Sequence, residues 1–264
     1  MSRHRTIAKP VVYSGPGIHT GEHTRLTLLP SETPGIRLLV GGEETPCRLE
    51  AVTHTAHCVA VGSVLTVEHL LAAAWTLGVT ALQVVVEGPE VPAGDGSALP
   101  FVELLQEAGT RELRGEVPEL RLATPVWIQE GGALAAAFPS VCLRVTYVVP
   151  LRGREACAYD LVVTPERFIS EIAPARTWGY LEDAEALWEK GLARGSGLDN
   201  TLVLKDGRFL SPPRFPDEPA RHKILDLLGD LALLGERLVA HVVCVGGGHA
   251  LHLRLARTIQ RTSS

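Results

Sequence analysis

Ala220-Arg221-His222-Lys223-Ile224-Leu225-Asp226-Leu227-Leu228-Gly229-Asp230-Leu231-Ala232-Leu233-Leu234, followed by the apolar run Arg237 to Val245, is the stretch from which the fold is read. Ile224, Leu227, Leu228, Leu231 and Leu234 recur at the spacing of one helix face, which predicts a helix over 220–234. Arg237 to Val245 reads as the strand that follows it. Gly246-Gly247-Gly248 then leads into His249 and a short helix.

The same order stands earlier in the chain. Thr66 to Trp75 predicts a helix with Thr66 as its N-cap. Ala81 to Glu87, rich in β-branched residues, predicts a buried strand, and Phe101 to Ala108 an amphipathic helix. Two further strands, Thr24 to Leu29 and Gly35 to Val40, are bounded by Pro and Gly. Past Pro118 the chain predicts strands over 120–128, 133–138 and 143–149, then helices over 165–172 and 181–190. Strand, helix and strand thus occur in both halves. The expected fold is α+β, with two similar sheet-and-helix domains at 1–118 and 119–264.

With 264 residues, 45% hydrophobic and 21% charged, the chain can bury a substantial core without covalent staples. A net charge of −5 argues against broad nucleic-acid binding, which needs a basic field. Cys47, Cys58, Cys142, Cys157 and Cys244 are scattered singly, so neither a disulfide framework nor a thiolate metal site is expected. Neither a signal peptide nor an apolar run long enough for a membrane span is visible. A cytoplasmic monomer is the expectation.

The chemistry concentrates in three places. On the predicted helix, His222 and Asp226 lie four apart and project from one face, and Asp230 extends the row. An imidazole and a carboxylate so placed can share a metal, or can form a solvated face. Glu68 and His69 are adjacent at a helix start, pointing about 100° apart. One can then ligate a metal while the other reaches the attacking water; the bland alternative is a partly exposed pair. His69 would complete the three protein ligands of a catalytic zinc, with Glu68 as general base. The three glycines before His249 let backbone pass close to a ligand and place a histidine able to donate a proton, unless they form a plain linker.

Taken in order, these segments resemble the UDP-3-O-acyl-N-acetylglucosamine deacetylases. Val67-Glu68-His69-Leu70, His222-Lys223-Ile224-Leu225-Asp226 with Gly229-Asp230, and Gly248-His249-Ala250-Leu251 look like that family's signatures. So do Gly17-Ile18-His19-Thr20-Gly21, Pro89-Glu90-Val91-Pro92, Asp95-Gly96-Ser97-Ala98 and Ala175-Arg176-Thr177-Trp178-Gly179. The resemblance implies two packed α+β domains with a Zn2+ site (Fe2+ is the alternative metal) between them. It implies removal of the acetyl group from a UDP-linked acylated amino sugar, the committed step of lipid A synthesis. Carried over by position, His69, His222 and Asp226 are the metal ligands, Glu68 the general base and His249 the general acid. Lys223 helps stabilise the oxyanion, Asp230 orients His249, Thr177 hydrogen-bonds near the substrate carbonyl, and His19 either contacts substrate or supports its turn. Asp95 reads as holding a tight turn.

The chain also departs from the family pattern. Val245-Gly246-Gly247 lacks a lysine expected near the nucleotide, and Val148-Val149-Pro150 stands where a His-Pro pair is usual. His252 occupies a position commonly asparagine. The catalytic group is complete while the diphosphate grip is thinned, so weaker discrimination for UDP is expected, with Arg152, Arg154 and Arg254 as candidate substitutes. The alternatives are the same zinc chemistry on another N-acetylated sugar, and a non-catalytic sugar-nucleotide binder.

Overall fold

A computed structural model describes residues 3–262. In the first sheet the strands run in the order Val11–Pro16, His23–Pro30, Ala81–Glu87, Gly35–Val40, Glu43–Pro46. Along His23–Pro30, Thr24, Leu26 and Leu28 point inward while Arg25 is exposed, the alternation that one buried sheet face imposes. Ala81–Glu87 lies in the middle, antiparallel to His23–Pro30 and parallel to Gly35–Val40.

The second sheet repeats this plan. Its order is Val126–Glu130, Ala133–Pro139, Arg237–Val245, Arg144–Val149, Cys157–Val162. The last strand in sequence is again central, antiparallel to one neighbour and parallel to the other. In both sheets a helix precedes the central strand and another follows it. These are Glu68–Thr76 and Leu99–Ala108 in one half, Glu218–Ala232 and His249–Thr262 in the other. The molecule is therefore α+β with two similar sheet-and-helix units, as expected.

The two helices that precede the central strands pack on each other. Leu70, Leu71 and Ala72 to Ala74 of one, and Ile224, Leu225, Leu227, Leu228 and Leu231 of the other, belong to one continuous buried cluster. Non-directional burial of this apolar surface, at roughly 25 cal/mol per Å², drives the contact. It also brings the polar ends of the helices, Glu68-His69 and His222-Asp226, to the same place.

Several sequence expectations need correction. Thr66 is not the N-cap: the helix begins at Glu68 behind Val67. Thr66 has φ +59° and its hydroxyl donates to Glu90 Oε1 at 2.8 Å, so tertiary contact overrides the local capping preference. The strand expected over 120–128 is two strands, Glu119–Arg121 and Val126–Glu130, paired to different partners. Pro125, which has no N–H to donate, lies in the break. The helix after the glycines is 14 residues long, not short. The segment 165–172 is one α-turn followed by a π-turn, and 181–189 a 3-10 turn leading into a helix. All five cysteines are free. No helix among the described residues is long and apolar enough to cross a membrane.

Candidate active site

Glu68 and His69 stand in the first turn of their helix, and His222, Asp226 and Asp230 follow one another on the inner face of Glu218–Ala232. His249 is the first residue of the last helix. All six side chains are buried. His222 Nε2 lies 3.3 Å and His69 Nε2 3.6 Å from Asp226 Oδ1. The two imidazoles meet edge to face, with centroids 5.1 Å apart.

The ligand atoms of His69, His222 and Asp226 fall within 4.8 Å of one another, a group that could hold a metal. Two ligand atoms at about 2.0–2.1 Å from a tetrahedral zinc stand about 3.3 Å apart, so the donor set fits. The tautomer fits too. His222 Nδ1 donates to the Ala175 carbonyl at 3.1 Å, leaving Nε2 with its lone pair towards Asp226. Burial pushes His222 down to about 4, which keeps the ring neutral and competent as a ligand.

A second buried group, Asp230, His249 and His252, also gathers metal-type donors. Its N···O distances of 2.7 and 2.9 Å are those of direct hydrogen bonds and too short for two ligands around one ion.

Glu68 accepts the Val59 N–H on Oε2 at 3.1 Å, which fixes the carboxylate and leaves Oε1 facing His249 Nε2 at 3.7 Å. Burial raises the Glu68 carboxyl above its ordinary value, and the Asp226 and Asp230 charges add to this. Burial would push His249 down, but the Asp230 and Asp226 carboxylates outweigh it and raise the ring to about 9. His249 Nδ1 contacts both Asp230 oxygens, at 3.1 and 2.9 Å. Lys223 donates to Asp226 Oδ2 at 2.8 Å. Burial disfavours its charge, yet Asp226 raises it above the ordinary lysine value, so the ammonium persists. The Asp226 carboxyl is held well below its usual range, chiefly by His222 and Lys223 working against burial.

A cavity of about 620 Å³ opens onto these groups. Glu68, His69, His222, Lys223, Asp226 and His249 line it, as do Thr177 and His19, so eight of the nine residues singled out from the sequence share one space. Asp230 stands behind His249, outside the lining. Trp178, Leu181, Leu187, Trp188, Leu198 and Leu210 give the same cavity an extended apolar wall. Arg152, Arg154 and Arg254 do not line it. Arg152 is paired with Asp183, Arg254 with Glu130, and Arg154 lies over the Phe209 ring. Asp95 does hold a turn, accepting the Ser97 N–H and hydroxyl at 3.1 and 2.7 Å, and it pairs with Arg214 besides.

Two supports went unread in the sequence. The buried Glu90 carboxylate accepts the N–H groups of His19 and Thr20 and the hydroxyls of Thr20 and Thr66, tying the His19 turn to the start of the Glu68 helix. The buried Arg176–Glu218 pair, at 2.9 Å, ties the segment carrying Ala175 and Thr177 to the helix carrying His222. Glu90 and Arg176 lie in segments matched to the family pattern, but nothing local to them signals a partner 24 to 71 residues away.

Residues 4–261 match the family described as UDP-3-O-acyl N-acetylglycosamine deacetylase. Among curated proteins, the UDP-3-O-acyl-N-acetylglucosamine deacetylase of Thermosynechococcus vestitus is 43% identical, the match covering 97% of this chain and 93% of that protein. Those of Chlamydia pneumoniae and Chlamydia muridarum are 41% and 39% identical. Each match covers 97% of this chain, with 96% and 94% of the respective relatives.

Proposed function

Because this chain belongs to the UDP-3-O-acyl N-acetylglycosamine deacetylase family, we propose that it is a zinc-dependent hydrolase that removes the N-acetyl group of UDP-3-O-acyl-N-acetylglucosamine. The step is the committed one of lipid A biosynthesis, performed by a cytoplasmic monomer. The observation that carries this reading is that a candidate ligand trio and an acid–base pair, Glu68 and His249, share one cavity. The domain boundary belongs near residue 118, between the half that supplies His19, Glu68 and His69 and the half that supplies Thr177, His222, Lys223, Asp226, Asp230 and His249.

His69, His222 and Asp226 are the residues that hold Zn2+, and Fe2+ suits the same donors. Bound there, the ion would supply Lewis-acid polarisation for attack of water on the acetamide. Glu68 takes a proton from that water as it attacks, a task suited to a carboxyl whose affinity for protons burial has raised. The negative charge that develops on the carbonyl oxygen meets the Lys223 ammonium, with the Thr177 side chain beside it. His249 gives its Nε2 proton to the amine nitrogen as the C–N bond breaks, while Asp230 holds the ring through Nδ1. Acetate and the free amine leave. The apolar wall of Leu181, Leu187, Trp188 and Leu198 suits the acyl chain, and His19 lies on the substrate side.

Mass spectrometry of the UDP-linked substrate after incubation tests this. The expected product has lost one acetyl group and carries a free amine. Unchanged substrate, bound but not cleaved, would point to a sugar-nucleotide binder.

A further inference from the structure

Of the four buried histidines among the described residues, His252 alone has no part in the reaction proposed above. It lies one helical turn beyond His249, and residues three apart on a helix share a face, so both rings turn to Asp230. Asp230 Oδ2 is 2.9 Å from His249 Nδ1 and 2.7 Å from His252 Nδ1. On its far side His252 Nε2 is 2.8 Å from the Tyr147 hydroxyl, which also lies 3.1 Å from the Gly246 carbonyl. Asp230, His252 and Tyr147 are each 0% exposed, so these groups must satisfy one another without solvent.

Two assignments fit the contacts: a neutral His252 that accepts from Tyr147, or a cationic His252 that donates to Tyr147 while the hydroxyl donates to the Gly246 carbonyl; in both, His252 Nδ1 donates to Asp230. A carboxylate only accepts, so both Nδ1 atoms carry their protons. With a neutral ring, His252 Nε2 accepts the Tyr147 O–H at 2.8 Å, the shorter of the contacts that compete for that one proton, the other being the Gly246 carbonyl at 3.1 Å. Burial lowers His252 below the ordinary histidine value, in keeping with a neutral ring. His249 alone would leave the carboxylate free to turn, since its Nδ1 reaches either oxygen. The second donor removes that freedom.

We propose that His252 is a positioning residue for the proton donor: backed by Tyr147, it locks the Asp230 carboxylate so that His249 keeps one proton on Nδ1 and exchanges the other through Nε2. This rests on His249 acting as the general acid. The relay has its anchor in Tyr147, on the strand Arg144–Val149, which lies beside the central strand that ends at the glycines before His249. The strand and the loop that set His249 are thereby joined through one hydroxyl.

The first test needs no variant. Nitrogen-15 NMR of histidine-labelled, metal-free protein should show His252 protonated at Nδ1 and bare at Nε2, with the Nδ1 proton far downfield. An Nε2–H tautomer overturns the proposal. Second, His252→Leu fills the space without a donor and should lower kcat about 10–100-fold, as losses of such supporting partners do, with KM unchanged. His252→Asn, whose amide nitrogen sits on Cγ where Nδ1 did, should restore most of that loss. A Leu variant as active as wild type, or an Asn variant no better than Leu, overturns the role. If the Leu variant fails to fold, the wild-type tautomer and the Asn variant still decide. Because the tautomer is read without metal or substrate, a wild-type protein that releases no acetate counts against the proposed function and not against this arrangement.

Discussion

Gly229 and the Glu68 carbonyl oxygen lie so close that a Cβ added at Gly229 would stand 2.1 Å from that oxygen. The approach of the two central helices is thus set at one residue, between His222-Asp226 on one side and Glu68-His69 on the other. A methyl group there must push backbone, not a flexible side chain. Overpacking of this kind costs about 1–3 kcal/mol. Gly229→Ala should lower the melting temperature and weaken metal uptake together. Wild-type values of both would mean that the helix contact does not set the site.

Glu68→Gln keeps the shape of the side chain and removes the proposed base. Metal content should be unchanged, while kcat falls by the roughly 10²–10⁴-fold that a positioned base contributes. The check is acetate release alongside metal analysis on the same preparation. Near wild-type turnover would show that another group takes the water's proton.

The pH profile of kcat/KM should be a bell. As the proposed base Glu68 works deprotonated, and burial raises its carboxyl above 4.5, so activity should be lost as pH falls through that raised value. As the proposed acid His249 works protonated and is raised to about 9, so activity should be lost as pH rises through it. Asp230→Asn removes the first group that raises His249 and should move the basic limb to lower pH. An unmoved limb assigns it to a different group.

The arginines named as candidates to grip a diphosphate are engaged away from the cavity, Arg152 with Asp183 and Arg254 with Glu130. The same acylated sugar with and without UDP should therefore differ in kcat/KM by less than about 10³-fold, roughly 4 kcal/mol. A larger loss without UDP would show that a full nucleotide grip exists elsewhere in the cavity wall.

How far these features could be read from the chain depended on the range of the interactions behind them. The Ile224–Leu234 spacing gave the long helix because an amphipathic period is local, and Gly35–Val40, Ala81–Glu87 and Arg237–Val245 were bounded as found. The strand order was not legible. Gly35–Val40 pairs in parallel with a strand some 45 residues on, and no local pattern encodes that choice. Thr66 looked like a cap because its partner Glu90 is far away in sequence. The candidate site residues were proposed from helical spacing and a resemblance, and the structure places eight of them around one cavity with Asp230 behind it. His252 carried a usable signal, its three-residue spacing from His249, but was read only as a departure. Arg176 and Glu218 carried none, being 42 residues apart.

On the proposed function, one metal held by His69, His222 and Asp226 makes this cavity a deacetylase. The direct measurement titrates metal-free protein with Zn2+ while following acetate release from the UDP-linked acylated sugar. Activity should rise from near zero and level off at about one equivalent per chain, as a site with three protein ligands demands, and His222→Ala should not respond in the same metal range. Full activity without metal, or an unaltered response in His222→Ala, would contradict the account.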